Sequence, residues 1–197
     1  DLLNGYEDDG EDLSLRTGCD SSDRWQQGED ATAFGGSIRD MWDPTCKGDP
    51  GKVTDNEYWC STGDNGGVHI NSGIPNHAYA LLVDGGTYNG QTISAIGFTK
   101  AAHIFWRAQS VYLTATSNFS SLADALEASC VDLFGVNLEG LSTSATPAGL
   151  SGEILSSHDL TQVTNAILAV ELRINPDTCN FTPLLVSSDE LCGASTS

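Results

Sequence analysis

Asp64-Asn65-Gly66-Gly67-Val68-His69-Ile70-Asn71-Ser72-Gly73-Ile74-Pro75-Asn76 divides this sequence into two kinds of chain. Upstream, residues 1–65 lack apolar periodicity and are rich in Gly, Asp, Ser and Pro. Clusters such as Phe34-Gly35-Gly36-Ser37 and Lys47-Gly48-Asp49-Pro50-Gly51 read as turns and long ordered loops. Loops of that length inside a compact domain are usually functional, or pinned by metals and disulfides. Downstream, the apolar residues take up a helical period. The stretch itself opens a helix expected near 66–83, with Val68, Ile74, Tyr79 and Leu82 among small residues and Asp84-Gly85-Gly86 as its stop. Pro75 removes an amide donor inside that span, so a kink is expected there. Gly66-Gly67 suits a phosphate cradle by composition, but the lysine and Ser/Thr that complete such a loop are absent, which excludes that reading.

Further along, a helix is expected over about 99–113, its apolar side made by Ala101, Ile104, Phe105, Ala108, Val111 and Tyr112. Another runs over about 118–134, capped by Ser117 or Asn118, with Phe119, Leu122, Leu126, Cys130 and Leu133 as its buried stripe. A fourth, about 159–172, buries Leu160, Val163, Ile167 and Val170. Residues 136–157 read as a Ser/Thr/Gly loop, and 175–197, with Pro176, Pro183, two cysteines and Leu184-Leu185-Val186, as an extended, disulfide-tied tail. The fold expected is therefore mainly α. It divides into a loop-rich segment 1–65, a helical core 66–174 and the tail, without an internal repeat.

With 27 acidic and 8 basic residues the formal charge is −19, which repels polyanions and argues against nucleic acid or an anionic membrane surface. No apolar run approaches the roughly 18 residues of a membrane span. The six cysteines, Cys19, Cys46, Cys60, Cys130, Cys179 and Cys192, show no close metal-knuckle spacing and read as disulfides of an oxidising compartment. Short loops favour Cys46–Cys60 and Cys179–Cys192, leaving Cys19 with Cys130, although sequence does not choose among pairings. Cys130 falls on the inward stripe of its helix, where a structural disulfide and a plain buried thiol both fit. The sequons at Asn118 (Asn118-Phe119-Ser120) and Asn180 (Asn180-Phe181-Thr182) agree with secretion and glycosylation. The amino terminus reads neither as a signal peptide nor as an initiator Met, so an upstream portion is expected.

The quoted stretch and its flanks resemble the carboxy-terminal, helical domain of thermolysin-type zinc metallopeptidases. The resemblance extends to Gly97, Ala101, Phe105, Arg107 and Ala108, to the run Tyr112-Leu113-Thr114-Ala115-Thr116-Ser117-Asn118-Phe119-Ser120, and to Asp132-Leu133-Phe134-Gly135. Upstream, Trp25-Gln26-Gln27-Gly28-Glu29-Asp30 and the arginine-bearing Arg39–Pro50 loop are similar as well, so that residues 20–172 are covered. The resemblance implies a secreted endopeptidase. In it His69 donates to the oxyanion formed at the attacked peptide carbonyl, Asp64 holds the imidazole oriented and protonated, Arg39 grips a substrate carbonyl, and Asn65 bonds substrate main chain. An ordinary ion pair of Arg39 with Asp40 or Asp43 is the bland alternative. His77, His103 and His158 read as packed or surface residues.

The same resemblance implies a zinc ion whose ligands, a His-Glu-x-x-His helix and a later glutamate, do not occur among the four histidines of this chain. Zinc is thus expected from an amino-terminal lobe acting as partner, and Asp1-Leu2-Leu3-Asn4-Gly5 resembles the last turn of the glutamate-bearing helix. Alone, the chain is expected to be inactive. Calcium is implied at Asp1 and Glu29, but Arg24 and Gln26 stand where further acidic ligands are expected. The acidic run Glu7–Asp12 suits calcium or plain solvation. The reading from a different class is an extracellular structural or interaction module, derived from such a lobe, that cuts nothing; a weaker third is a peptidase inhibitor or regulator.

Overall fold

The computed structural model describes residues 19, 23–28, 33 and 35–181. Among the described residues four long helices form the body: α2 (Gly73–Asp84), α3 (Phe98–Arg107), α4 (Phe119–Asp132) and α5 (Ser157–Ala169). A four-residue turn, α1 (Asp64–Gly67), precedes them, and among the same residues three two-stranded antiparallel ladders lie around them. These are β1–β2 (Gln26–Gln27 with Arg39–Asp40), β3–β4 (Gly86–Tyr88 with Gln91–Ile93) and β5–β6 (Asn137–Glu139 with Leu150–Ile154). α5 packs against α2, α4 and β4, and α3 packs against α4. Ile74, Leu81 and Leu82 of α2, Ile104 of α3, Leu126 of α4 and Val163 and Ile167 of α5 are almost wholly withdrawn from water. Their burial is the main driving force for the body. Among the described residues no helix is long and apolar enough to cross a membrane. The expected mainly α fold is what the structure has.

Helix boundaries follow from capping chemistry. Asn118 accepts from the Ser121 amide at 2.9 Å and starts α4. At α5, Ser156 and Asp159 form a reciprocal capping box, so the helix begins two residues earlier than its apolar period suggests. α2 starts only at Gly73, which places Pro75 in the first turn, where its missing amide costs nothing. The expected kink therefore has no cause. Val68, expected on the buried face, is 53% exposed, because it precedes the helix. The helix expected over 99–113 is α3 followed by a π turn, Ala108–Tyr112, closed by the Leu113 amide on the Ala108 carbonyl at 3.0 Å. A π turn inserts an extra residue, rotating the residues after it by about 100°. Val111 lies inside that turn, where the 3.6-residue phase is already broken, and is 56% exposed. Residues 136–157, expected as loop, hold the β5–β6 hairpin.

The disulfides also differ from expectation. Cys19 bonds Cys46 and Cys60 bonds Cys179, while Cys130 is a free, buried thiol. This corrects Cys46–Cys60, Cys19–Cys130 and Cys179–Cys192 alike; Cys192 lies outside the described residues. Short loops close most readily in a random chain. Here the fold has already brought the Cα atoms of the observed pairs to 5.3 and 5.1 Å, and Cys130 is enclosed by the helices.

The loops before α2 are anchored at both ends of that helix. Trp25, 2% exposed, donates from Nε1 to Asp84 Oδ2 at 2.6 Å, and Arg24 pairs with the same carboxylate at 3.1 Å. At the other end, Gly73 meets the Pro44–Pro50 loop so closely that a Cβ there would lie 2.6 Å from the Pro50 carbonyl oxygen and 3.0 Å from Asp49 Cβ.

Candidate active site

The site is built on α1, whose four residues all have positive φ: Asp64 (53°), Asn65 (50°), Gly66 (84°) and Gly67 (80°). This is a left-handed turn, closed by the Gly67 amide on the Gly63 carbonyl and the Val68 amide on the Asp64 carbonyl. Asp and Asn tolerate the left-handed region better than other side chains, and glycine enters it freely, so the order Asp-Asn-Gly-Gly suits the turn. By reversing the local handedness, the turn folds Asp64 back toward His69. One carboxylate oxygen accepts from the His69 amide at 2.8 Å, and the other meets Nδ1 of the same ring. Those hydrogen bonds from His69 hold the Asp64 carboxyl below its ordinary value. The imidazole itself is 72% exposed, and Asn65 stands exposed on the same turn.

Arg39 reaches the site from β2. Its Nη1 donates to Asp49 Oδ2 at 3.0 Å and to the His69 carbonyl, which also accepts from Ser72 Oγ at 2.7 Å. The ion pair of Arg39 is thus with Asp49, ten residues on, rather than with the neighbouring carboxylates. Asp40 instead accepts from the Trp42 and Asp43 amides. Burial pushes the Asp49 carboxyl up, against the pull of the guanidinium. Asp64, His69 and Arg39 therefore form one connected unit.

Two supports of that unit were given no role by the sequence. Asn71, 6% exposed, accepts from the Trp59 amide at 2.9 Å and donates to the Trp59 carbonyl at 3.2 Å and to the Gly66 carbonyl at 3.4 Å. Trp59 donates from Nε1 to the Gly63 carbonyl at 3.1 Å, and its side chain covers Gly67. The one signal in the sequence is Asn71 itself, a polar residue inside the decisive stretch. Its partner, twelve residues upstream, leaves no local trace.

The remaining histidines stand apart. His77 is buried, its Nδ1 3.1 Å from the Gly51 carbonyl oxygen and its ring edge-on to Tyr88 at 4.2 Å, and burial lowers its proton affinity. His103 lies 2.8 Å from the Glu139 carbonyl oxygen, and His158 is exposed. Among the described residues no three His, Cys, Asp or Glu side chains are grouped as a metal requires, so this donor set does not fit a zinc centre. Asp1, Glu29 and the run Glu7–Asp12 lie outside the described residues. Arg24 is engaged with Asp84, and Gln26 belongs to the β1–β2 ladder. Asn118 is exposed with its carbonyl oxygen committed to capping, and Asn180 is exposed after a short 3₁₀ turn, Asp177–Cys179.

The helical body thus carries a carboxylate-braced, exposed imidazole on a reversed turn. Residues 11–145 match the family described as thermolysin metallopeptidase, alpha-helical domain, and the chain belongs to that family. Over 180 residues, 88% of this chain, it is 36% identical to a zinc metalloproteinase of Renibacterium salmoninarum. It is 43% identical over 119 residues, 59% of the chain, to a bacillolysin of Brevibacillus brevis. It is 44% identical over 114 residues, 56% of the chain, to a thermolysin of Alicyclobacillus acidocaldarius subsp. acidocaldarius. The aligned portions make up 28%, 22% and 20% of those relatives, so the chain spans under a third of the length of the proteins it matches.

Proposed function

We propose that this chain is the helical lobe of a secreted zinc metalloendopeptidase, working against an amino-terminal lobe that carries the His-Glu-x-x-His ligands. The observation that carries the reading is the Asp64–His69 pair on its left-handed turn. Zinc bound in that partner lobe would supply Lewis-acid polarisation and an acidified water. The residues of this chain supply the rest. With Nδ1 committed to the Asp64 carboxylate, the ring donates from Nε2 only as imidazolium, so its role as donor to the developing oxyanion requires the protonated form. The imidazole is open to a substrate, and its backbone is fixed from both sides by Asp64, Arg39 and Ser72. Arg39 on β2 and Asn65 on the α1 turn hold substrate main chain.

The division into a substrate-side segment 1–65, a core 66–174 and a tail 175–197 belongs to the same reading. So do calcium at Asp1 and Glu29 and glycans on Asn118 and Asn180. The test is to express the chain together with an amino-terminal lobe and measure cleavage of a peptide. His69→Ala is expected to lower kcat by ~10²–10³ with zinc content unchanged, since an oxyanion donor acts in the transition state. Full activity of that variant would overturn the mechanism. A zinc-loaded pair that cleaves nothing would assign the lobe to the non-catalytic module instead.

A further inference from the structure

The left-handed turn is a conformation that must be held from outside, because Asp64 and Asn65 pay a backbone penalty to adopt it. Its nearest support is the root of the Trp59 side chain: a Cβ on Gly67 would lie 2.6 Å from Trp59 Cβ and 2.8 Å from its Cγ. Trp59 is in turn poorly held by its own backbone. Among the described residues, 59–62 make no backbone–backbone hydrogen bond, and the loop they form is exposed. Two tethers hold it instead. Asn71 grips the Trp59 amide and carbonyl from the α2 side. Cys60, the next residue, is bonded to Cys179, 119 positions away in sequence. Cys179 sits on the 3₁₀ turn beyond α5, closed by its own amide on the Pro176 carbonyl at 2.9 Å. The segment leading to that turn is fastened to α4 by Arg173, which pairs with Asp124 and Glu127 at 2.7 Å each.

We propose that the Cys60–Cys179 disulfide is a positioning element for the candidate active site: through Trp59 it ties the turn bearing Asp64 and His69 to the α4–α5 frame. This rests on the proposed function only where activity is concerned; the structural half stands on this chain alone. The bridge touches neither His69 nor Asp64, so it acts by fixing where the turn sits.

The experiment is amide hydrogen exchange on the full 197-residue chain, comparing the parent with Cys60→Ser/Cys179→Ser, Trp59→Ala and the triple variant. Loss of the bridge is expected to speed exchange at Gly66, Gly67, Val68 and His69 by about tenfold or more, while Val163, Ala166 and Ile167 in α5 keep their rates, the signature of local rather than global opening. Because the bridge acts through Trp59, Trp59→Ala alone should give most of that effect, and removing the bridge in that background should add little. Should the bridge-less chain fail to fold, Trp59→Ala with the disulfide intact must still loosen the turn and spare α5. Unchanged exchange at 66–69, an equal rise throughout α5, or additive effects of the two changes would each overturn the proposal. In the two-lobe enzyme, loss of the bridge should lower kcat about tenfold with KM within about twofold, as expected for a misplaced transition-state donor. A locally loosened turn in a protein without activity would count against the proposed function and leave this inference standing. A loosened turn in an active enzyme with unchanged kcat would overturn the positioning role.

Discussion

Replacing Gly67 by alanine tests the packing on which the site rests, because the neighbouring glycine provides an internal control. Both residues have left-handed backbones, with φ of 84° at Gly66 and 80° at Gly67. An added Cβ at Gly66 meets nothing within 4 Å, whereas at Gly67 it lies 2.6 Å from Trp59 Cβ and 2.7 Å from Cδ1. The Trp59 Cβ cannot be cleared by a rotamer change; it moves only with a backbone that Asn71 holds at both amide and carbonyl. Gly66→Ala should therefore cost only the left-handed penalty, about 1 kcal/mol. Gly67→Ala adds overpacking of about 1–3 kcal/mol, for a total of about 2–4 kcal/mol. With a urea slope of about 2 kcal/mol per molar, the midpoint should fall by about 0.5 M for Gly66→Ala and about 1–2 M for Gly67→Ala. Equilibrium urea unfolding followed by tryptophan fluorescence measures both. Trp59→Gly in the Gly67→Ala background, which removes the Cβ as well as the ring, should recover most of the difference. Equal losses at the two positions would refute the claim that Trp59 holds the turn.

Arg39→Met should lower stability by about 1–3 kcal/mol at neutral pH, because it strands the Asp49 carboxylate in a buried place. Burial already raises the Asp49 pKa, so protonation relieves the deficit and the loss should shrink in acid; an unchanged urea midpoint would leave Arg39 a substrate role alone. Asp64 is the opposite case. Its carboxyl is held below the ordinary 3.8 by His69, so the stability it lends is complete above that pH and vanishes as pH falls through the lower folded-state value. Asp64→Asn should flatten that acid limb, and an unaltered profile below pH 3.8 would contradict the pairing. Burial first, and the Asp159 charge second, push the Cys130 thiol up to about 12, so it should resist alkylation at about pH 8 in the folded protein and react after unfolding. Prompt labelling of native protein would be incompatible with its place in the core.

What the sequence made legible was short in range. Asp64 and His69 are five residues apart, and their pairing was implied by the resemblance of the stretch that holds them both. The α4 stripe was legible because Leu126 and Cys130 keep an unbroken 3.6-residue period. Arg39 was harder, since two carboxylates lie nearer in sequence than Asp49; burial of the Pro44–Pro50 loop against α2 makes the choice. The π turn after α3 leaves the apolar pattern intact while changing its phase, so Val111 reads as core and stands in water. The β5–β6 hairpin was missed because Leu150 and Ile154, at 72% and 48% exposure, give no inside–outside alternation to detect. Disulfide partners were illegible for the same physical reason as Trp59 and Asn71: contacts between distant segments are set by the assembled helices.

Gly73 shows how such an assembly constrains its own history. With the Pro50 carbonyl oxygen 2.6 Å from the place a Cβ would occupy, the first residue of α2 and the loop beneath it form a joint with no clearance. In a saturation library, position 73 would act as a filter that returns glycine whatever the selection rewards, be it activity, binding or yield. Gly90 and Gly149, with open space around them, would drift within the limits of their backbones. Variation between lineages should respect the same boundary. The Pro44–Pro50 loop and the start of α2 can change together, as a matched pair inherited in one step, and neither can wander alone.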